Sequence, residues 1–466
     1  MQGCETSVGA PDAELSDAIR RLSRASVMVV GDVMLDRYVY GSVSRISKEA
    51  PTQVLAVKRE LAMAGGAGNV VRNLTGLGAA VAFVSVVGDD QAGSDLTGLI
   101  GGQPNVEPWL LVQGSRCTTQ KTRYMARGQQ LLRSDREDVS PVHPKLVERM
   151  LRITGDAMAA TSVSVLSDYG KGVLAGGTAG SIIAAARRAG RPVVVDPQGV
   201  AYERYEGADL VCPTLDELAE VVGEPVLTEA ACEAAAARLR TTYGFGAVAV
   251  NRASRGLTLV DGGGVVHLPS LAAGAFEAAA ANDTLVAAMA AGLAIGLTLR
   301  VAARVANLAA GVVLAQAGLA VAQEADLLAA LSPQGVVPKK VVSPTLAAEQ
   351  VDRWRRMGWR TGFAPGSDSG GLDARRNGDL RLMEQARTAC DRLIVGLFHD
   401  PTRDGEVPPA AVALAGLREV DLVCLYPAQA ADDTLQALRP ELLVEREPSA
   451  AAAMLRGWGG EILVVE

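Results

Sequence analysis

The sequence predicts an α/β protein made of two doubly wound units, and three observations carry that prediction. Apolar, β-branched runs alternate with alanine-rich helical stretches through the first two thirds of the chain, the pattern of a mostly parallel sheet with helices on both faces. Several of these runs end in a polar residue, among them Asp168, Asp196 and Asn251, where a doubly wound sheet opens its ligand crevice. The pattern breaks over residues 332–345, which hold three prolines and two lysines, and a smaller α/β series of about 120 residues follows. The expected units are therefore 1–331 and 346–466, with 332–345 as linker.

Taken in order, Val27–Val30 reads as the first strand, and Gly31–Pro51 (GDVMLDRYVYGSVSRISKEAP) follows it. Asp32 and Asp36 then fall near a strand's carboxyl end, where ionised acceptors suit sugar hydroxyls. The run AGGAGNVVRNLTGLGA from Ala64 places Gly65, Gly66 and Gly68 where the backbone can approach a ligand, with Asn69 able to donate and accept. Taken singly, either segment is more often a turn or a packing device. Further strands are expected near 81, 163, 192, 208 and 246, and a buried helix over Leu285–Leu297. Arg37–Val57 and Thr118–Asp135 read as extended but polar. In the second unit WRTGFAPG, LIVGLFHD, VDLVCLYP, ELLVE and EILVVE read as strands, with a helix over Asp379–Asp391.

Composition narrows the function. A chain of 466 residues, 49% hydrophobic and 21% charged, is expected to be soluble and globular. A net charge of −7 without a basic cluster argues against nucleic acid. Cysteines 4, 117, 212, 232, 390 and 424 show neither disulfide nor zinc spacing, which fits a reducing cytoplasm. No secretory leader and no apolar run long enough for a membrane span are read from the chain.

The opening motif and the glycine segment together resemble the ribokinase-like (PfkB) sugar kinases. GDVMLDRY, SRISKEAP and GGAGN are closer still to the heptose-7-phosphate kinase module of the bifunctional enzymes that make ADP-heptose for lipopolysaccharide. The resemblance implies a ribokinase-like sheet with a small β lid, ATP and Mg2+ as cofactors, a sugar phosphate as substrate, and a homodimer through the lid strands. KTRYMARGQQLLRSDRED (Lys121–Asp138) and LSDYGKGVL (Leu166–Leu174) match the same pattern. They make Arg45, Arg123, Arg133 and Lys171 candidates for the substrate's existing phosphate, with Asp168 beside them.

The nucleotide side departs from the family. Its G-A-G-D motif, which supplies an anion hole and a base at a helix start, reads Ala280, Ala281, Asn282, Asp283. Asp283 remains as base; the residues before it lack glycine. The N-x-x-E signature tied to magnesium reads Thr214-Leu-Asp-Glu217, the T-x-G-x-x-G loop reads Asn251, Arg252, Ala253, Ser254, Arg255, Gly256, and D-P-K-G reads Asp196-Pro-Gln198-Gly. Asn307, in ANLAAG, is the expected neighbour of the adenine.

The second unit resembles the nucleotidyltransferase half of those enzymes, a Rossmann-like fold, but its H-x-G-H motif is replaced. The helix that follows that motif aligns so that Arg376, Asn377, Gly378 and Asp379 occupy its place, and the chain's only histidines are His143, His267 and His399. Glu445 stands where a phosphate-binding lysine is expected, which repels an anion. Two functions follow: a heptose-phosphate kinase whose adenylyltransferase has been lost, or a catalytically inactive sugar-phosphate-binding regulator.

Overall fold

A computed structural model describes residues 13–126, 129–270, 278–314, 321–331, 340–356, 358–365, 377–399, 407–417, 419–445 and 450–465. The chain divides into two compact units, Met1–Ser332 and Pro333–Glu466. Among the described residues no helix is long and apolar enough to cross a membrane. Cys117, Cys212, Cys232, Cys390 and Cys424 are free thiols.

The first unit is built on a nine-stranded sheet. Its strands are β1 (Ser26–Gly31), β4 (Ala80–Gly88), β5 (Val106–Gln113), β8 (Val163–Ser167), β9 (Val193–Asp196), β10 (Leu210–Val211), β11 (Ala247–Asn251), β12 (Leu257–Asp261) and β13 (Gly264–Leu268). The order is β13-β12-β11-β10-β9-β8-β1-β4-β5, parallel except where β12 and β13 add antiparallel edges. Because successive side chains on a strand face opposite ways, Val27 and Val29 of β1 enter one core while Met28 and Val30 enter the other. Burial on both faces is why this strand reads as a continuous apolar run. Two helices complete the part that positions the site: α2 (Ala67–Gly76) and α8 (Ala278–Ala294). The expected buried helix over Leu285–Leu297 lies in α8.

The two polar, extended stretches form a separate four-stranded sheet: β2 (Val33–Ile46), β3 (Gln53–Gly66), β6 (Gln120–Ala126) and β7 (Gln129–Arg136), in the order β3-β2-β6-β7. β2 leaves the main sheet one residue after β1 ends. This lid exposes Ile46, Val57, Leu61, Leu131 and Leu132.

The second unit holds six parallel strands, β14 (Val341–Val342), β15 (Thr361–Ala364), β16 (Arg392–Phe398), β17 (Leu422–Tyr426), β18 (Leu442–Glu445) and β19 (Glu461–Val464), in the order β14-β17-β16-β15-β18-β19. Leaving aside the edge strand β14, that is the 3-2-1-4-5 order of a doubly wound nucleotide fold. The helix expected over 379–391 runs from Asn377 to Ala389. The expected linker needs correction: Val341 and Val342 pair with β17, and Lys340 is buried with its Nζ donating to the carbonyls of Leu417 and Val420. Residues 332–339 lie outside the described part.

Candidate active site

The main sheet reverses direction between β1 and β8, since the chain builds outward from β1 through β4 and β5 and returns on the other side through β8 to β11. A crevice opens at such a point beyond the strands' carboxyl ends. There the segment after β8 carries Tyr169, α2 carries Asn69 and Arg72, and α8 carries Asp283.

Asp283 is buried, and both carboxylate oxygens accept short hydrogen bonds. The Tyr169 hydroxyl donates to Oδ1 at 2.6 Å, and Asn69 Nδ2 donates to Oδ2 at 2.6 Å. Burial pushes the Asp283 carboxyl up to about 6; the Tyr169 and Asn69 bonds oppose that rise and the charge of Asp36 adds to it. A carboxylate in that range is matched to taking a proton near neutral pH. Burial and the neighbouring Asp283 raise the Tyr169 phenol well above its ordinary range, which keeps it a donor. Asn69 is fixed from its other end by Arg72 Nη1, which donates to Oδ1 at 2.9 Å.

Asp36 lies on β2, roofing the crevice, and pairs with Arg123 at 2.6 Å. Gly65 on the adjacent strand makes room for it, because a Cβ there would sit 1.9 Å from Asp36 Oδ2. Gly66 takes φ +58° at the lid hinge, where a Cβ would also meet the Asp32 carbonyl at 2.5 Å, so only glycine fits without strain.

Several expected contacts are corrected by this geometry. Asp32 does not face the crevice as a sugar acceptor. Its carboxylate is 1% exposed and accepts from the amides of Tyr169, Lys171 and Val173 at 2.9–3.0 Å, tying down the loop that presents Tyr169. Asp168 is similarly committed, to the Gly170 amide and the Tyr205 hydroxyl, each at 2.8 Å, and to Arg204 at 3.3 Å. Arg45 is exposed on β2 nine residues beyond Asp36; at about 3.3 Å per residue that is roughly 30 Å, out of reach of its own crevice. Arg133 pairs with Asp135 at 3.1 Å and Lys171 with Glu137 at 2.8 Å.

The nucleotide side differs more. Ala280, Ala281, Asn282 and Asp283 all lie within α8, described from Ala278 onward, where the Asn282 amide has the Ala278 carbonyl four residues back as its ladder partner. The expected anion hole is thus mostly closed by helix. The reason is propensity: Ala278–Ala281 is a run of the best helix former where glycines would resist winding. The Asn282 side chain instead donates to Asp196 Oδ1 at 2.7 Å and accepts from Asn251 Nδ2 at 3.2 Å. Glu217 forms a capping box with Thr214, so one of its oxygens serves the start of α6 (Leu215–Val222) rather than being free for magnesium. Arg252 is buried against Glu229 at 2.5 Å, not presented to a phosphate. Asn307 Nδ2 donates to the Pro269 carbonyl at 2.9 Å. In the 251–256 loop Ala253 adopts φ +51° and Gly256 φ +91°, so alanine bears a conformation that glycine would take without strain.

Asp196 and Glu217 are nonetheless suited to a divalent cation. Asp196 is pushed well above its ordinary range by burial and then by Asp283 and Glu217, and burial raises Glu217 as well. A magnesium ion there would relieve that repulsion, since it is held by one or two carboxylates beside nucleotide phosphates.

In the second unit Glu445 ends β18 and Asp379 opens the helix over 377–389, both buried. Arg376 lies outside the described residues. Among the described residues no group of three or more metal-ligating side chains is found.

Tyr169 and Arg72 were not singled out from the sequence. Arg72 was detectable as the helical i+3 neighbour of Asn69; Tyr169 lay inside a matched motif, but its partner Asp283 is 114 residues away in the chain.

A doubly wound sheet with an aspartate at its switch point, roofed by a four-stranded lid, defines the ribokinase-like carbohydrate kinase class. The model of that class described as pfkB family carbohydrate kinase matches residues 24–326. Bifunctional protein HldE of Acidiphilium cryptum is 51% identical over 98% of this chain and 96% of its own length, and that of Caulobacter vibrioides is 40% identical over 97% of each. The chain belongs to the pfkB carbohydrate kinases and, over nearly its full length, to the family of bifunctional HldE proteins. In fold it is similar to Escherichia coli phosphofructokinase-2, solved in a tetrameric inhibited form (TM-score 0.55, 20% identity, 66% of this chain and 99% of that one). It is also similar to Arabidopsis thaliana ribokinase complexed with ribose and ATP (TM-score 0.53, 20% identity, 66% and 98%).

Proposed function

We propose that the first unit transfers a phosphoryl group from ATP to O1 of D-glycero-D-manno-heptose 7-phosphate, and that the second unit has lost adenylyltransferase activity. The observation that carries the kinase reading is Asp283, held by Tyr169 and Asn69 and facing Asp36 across the crevice. Asp36 with Arg123 orients the sugar hydroxyls. Asp283 accepts the proton of the attacking hydroxyl on a lone pair left by its two donors. Asp196 and Glu217 would hold magnesium, which neutralises charge on the nucleotide phosphates. Glu445 and the absence of an H-x-G-H pair support loss of the second activity, and the exposed apolar side chains of the lid support pairing with a second copy.

The specific observation favouring an inactive sugar-phosphate-binding protein is the winding of Ala281 and Asn282 into α8. A coupled assay with heptose 7-phosphate and ATP separates the two readings. Turnover well above that of Asp283→Asn supports the kinase; equal turnover ends it, and calorimetry that finds sugar phosphate bound without ATP establishes the second reading. ADP-heptose formed from heptose 1-phosphate and ATP would refute the loss of the adenylyltransferase.

A further inference from the structure

The loop after β8, residues 168–173, presents Tyr169 to Asp283, and its backbone is gripped from two sides. Its amides at Tyr169, Lys171 and Val173 go to the Asp32 carboxylate at 2.9–3.0 Å. Its carbonyl at Lys171 accepts from Arg116 Nη2. Arg116 lies between β5 and β6, where the chain enters the antiparallel lid hairpin β6–β7. The same guanidinium donates to the carbonyls of Asp138 at 2.7 Å and Ser140 at 2.8 Å, just after β7 ends at Arg136. One side chain therefore pins the entry to the hairpin, the exit from it and the Tyr169 loop together.

Further contacts close the same junction. Gly172 adopts φ +94°, and a Cβ there would overlap the Ser140 carbonyl. The Val142 amide donates to the Gly172 carbonyl at 3.3 Å, and Lys171 pairs with Glu137 at 2.8 Å. The segment that carries Arg116 is itself fixed to the main sheet, since the Thr118 amide donates to Asp90 at 3.0 Å and its hydroxyl accepts from the Gly88 amide at 2.8 Å. Arg116 is 6% exposed, and among the described residues its hydrogen bonds all go to main-chain carbonyls. A buried guanidinium gives up its hydration, and neutral acceptors return only part of that loss. An apolar side chain would fill the space at lower cost; only a rigid fork of donors holds three carbonyls at once.

We propose that Arg116 is a positioning residue for the base: it joins the foot of the lid hairpin and the Tyr169 loop into one piece, so that the Tyr169 hydroxyl stays seated on Asp283 while the hairpin is in place. This deepens the kinase reading above and rests on Asp283 being its base. The chain of contacts is continuous on the page, from Arg116 to the Lys171 carbonyl, along two residues of loop to Tyr169, and from its hydroxyl to Asp283 at 2.6 Å.

The test is carbon-13 NMR of the full chain labelled at tyrosine Cζ, the carbon that senses the phenol's hydrogen bond. Of the eight tyrosines, Tyr169 is assigned by the line lost in Tyr169→Phe. In Arg116→Met the Tyr169 line should move toward that of an unbonded phenol, and in Arg116→Lys, which keeps the charge, it should return part of the way. In the coupled assay Arg116→Met should lower kcat roughly 10- to 100-fold, the cost of a misplaced catalytic group. In a Tyr169→Phe background the same change should cost less than about 2-fold, because both act on one interaction. If Arg116→Met does not fold, Glu137→Gln loosens the junction at the Lys171 ion pair and should move the line the same way. A Tyr169 line that stays in place in folded Arg116→Met, or failing that in Glu137→Gln, leaves Arg116 a purely structural residue and overturns the proposal, as do additive losses of kcat in the double variant. A displaced line in a chain without turnover supports the positioning role and sinks only the kinase reading.

Discussion

Replacing Asp283 by asparagine should stabilise the first unit, and should do so more at alkaline pH. The Asp283 carboxyl is raised from 3.8 to about 6 in the folded chain, chiefly by burial. A group raised on folding contributes stability in its protonated form, fully present below the unfolded value and lost as pH rises through the folded one. The rise of about 2.2 units corresponds to about 3 kcal/mol of penalty at pH 8, and to about half of that at pH 5. Asparagine carries no such penalty. Its amide meets the Asn69 amide, and one mismatched donor costs about 1 kcal/mol at either pH. The net gain is therefore about 2 kcal/mol at pH 8 and about 0.5 kcal/mol at pH 5. Calorimetric unfolding of wild type and Asp283→Asn at the two pH values measures it. A difference between the two proteins that does not change with pH refutes the assignment of a buried, ionising carboxyl at this position, whether or not the chain is a kinase.

Tyr169→Phe removes a donor that lowers the Asp283 pKa, so the acid limb of kcat/KM should move from near 6 to higher pH by about one unit; a limb that stays in place removes Tyr169 from the site. Ala253→Gly should raise stability by about 0.5–1 kcal/mol by relieving φ +51°, read as a higher midpoint in urea at unchanged m, and a lower midpoint contradicts the strain. Restoring glycines with Ala280→Gly and Asn282→Gly should shorten α8 from its start, each glycine costing the helix about 1 kcal/mol. The freed amides should raise kcat at least about tenfold, as expected for oxyanion donors; an unchanged rate in the coupled assay shows that helix winding does not limit turnover.

Much of the fold was legible because each signal was local. The runs at β1, β4, β8, β9 and β11 were apolar on both faces, and the lid announced itself as extended and polar. Val341 and Val342 were missed as strand because two residues carry no periodicity and two prolines flank them. The site was less legible. Asp32 and Asp36 are equivalent acids in the sequence, but only the fold brings the amides of Tyr169, Lys171 and Val173 to Asp32, from more than 130 residues away. Thr214 and Glu217 form a capping box in the structure, a local pattern that the reading of this segment as a magnesium signature passed over. The Tyr169–Asp283 bond spans 114 residues and left no local trace.

The unequal erosion of the two sides of the crevice follows from what each side uses. In the proposed kinase the sugar side would work through side chains, and Asp36, Arg123, Asn69 and Asp283 would keep such roles as long as their own identity persists. The nucleotide side works through backbone amides, which every residue carries, but only in a particular conformation. At 253 a positive φ is taken by alanine, as a single strained residue. From 278 to 282 it does not, because several alanines in a row gain more from helical bonding than an open loop does. Loss of glycine is therefore tolerable where one residue bears the strain and consequential where a neighbouring helix can absorb the segment.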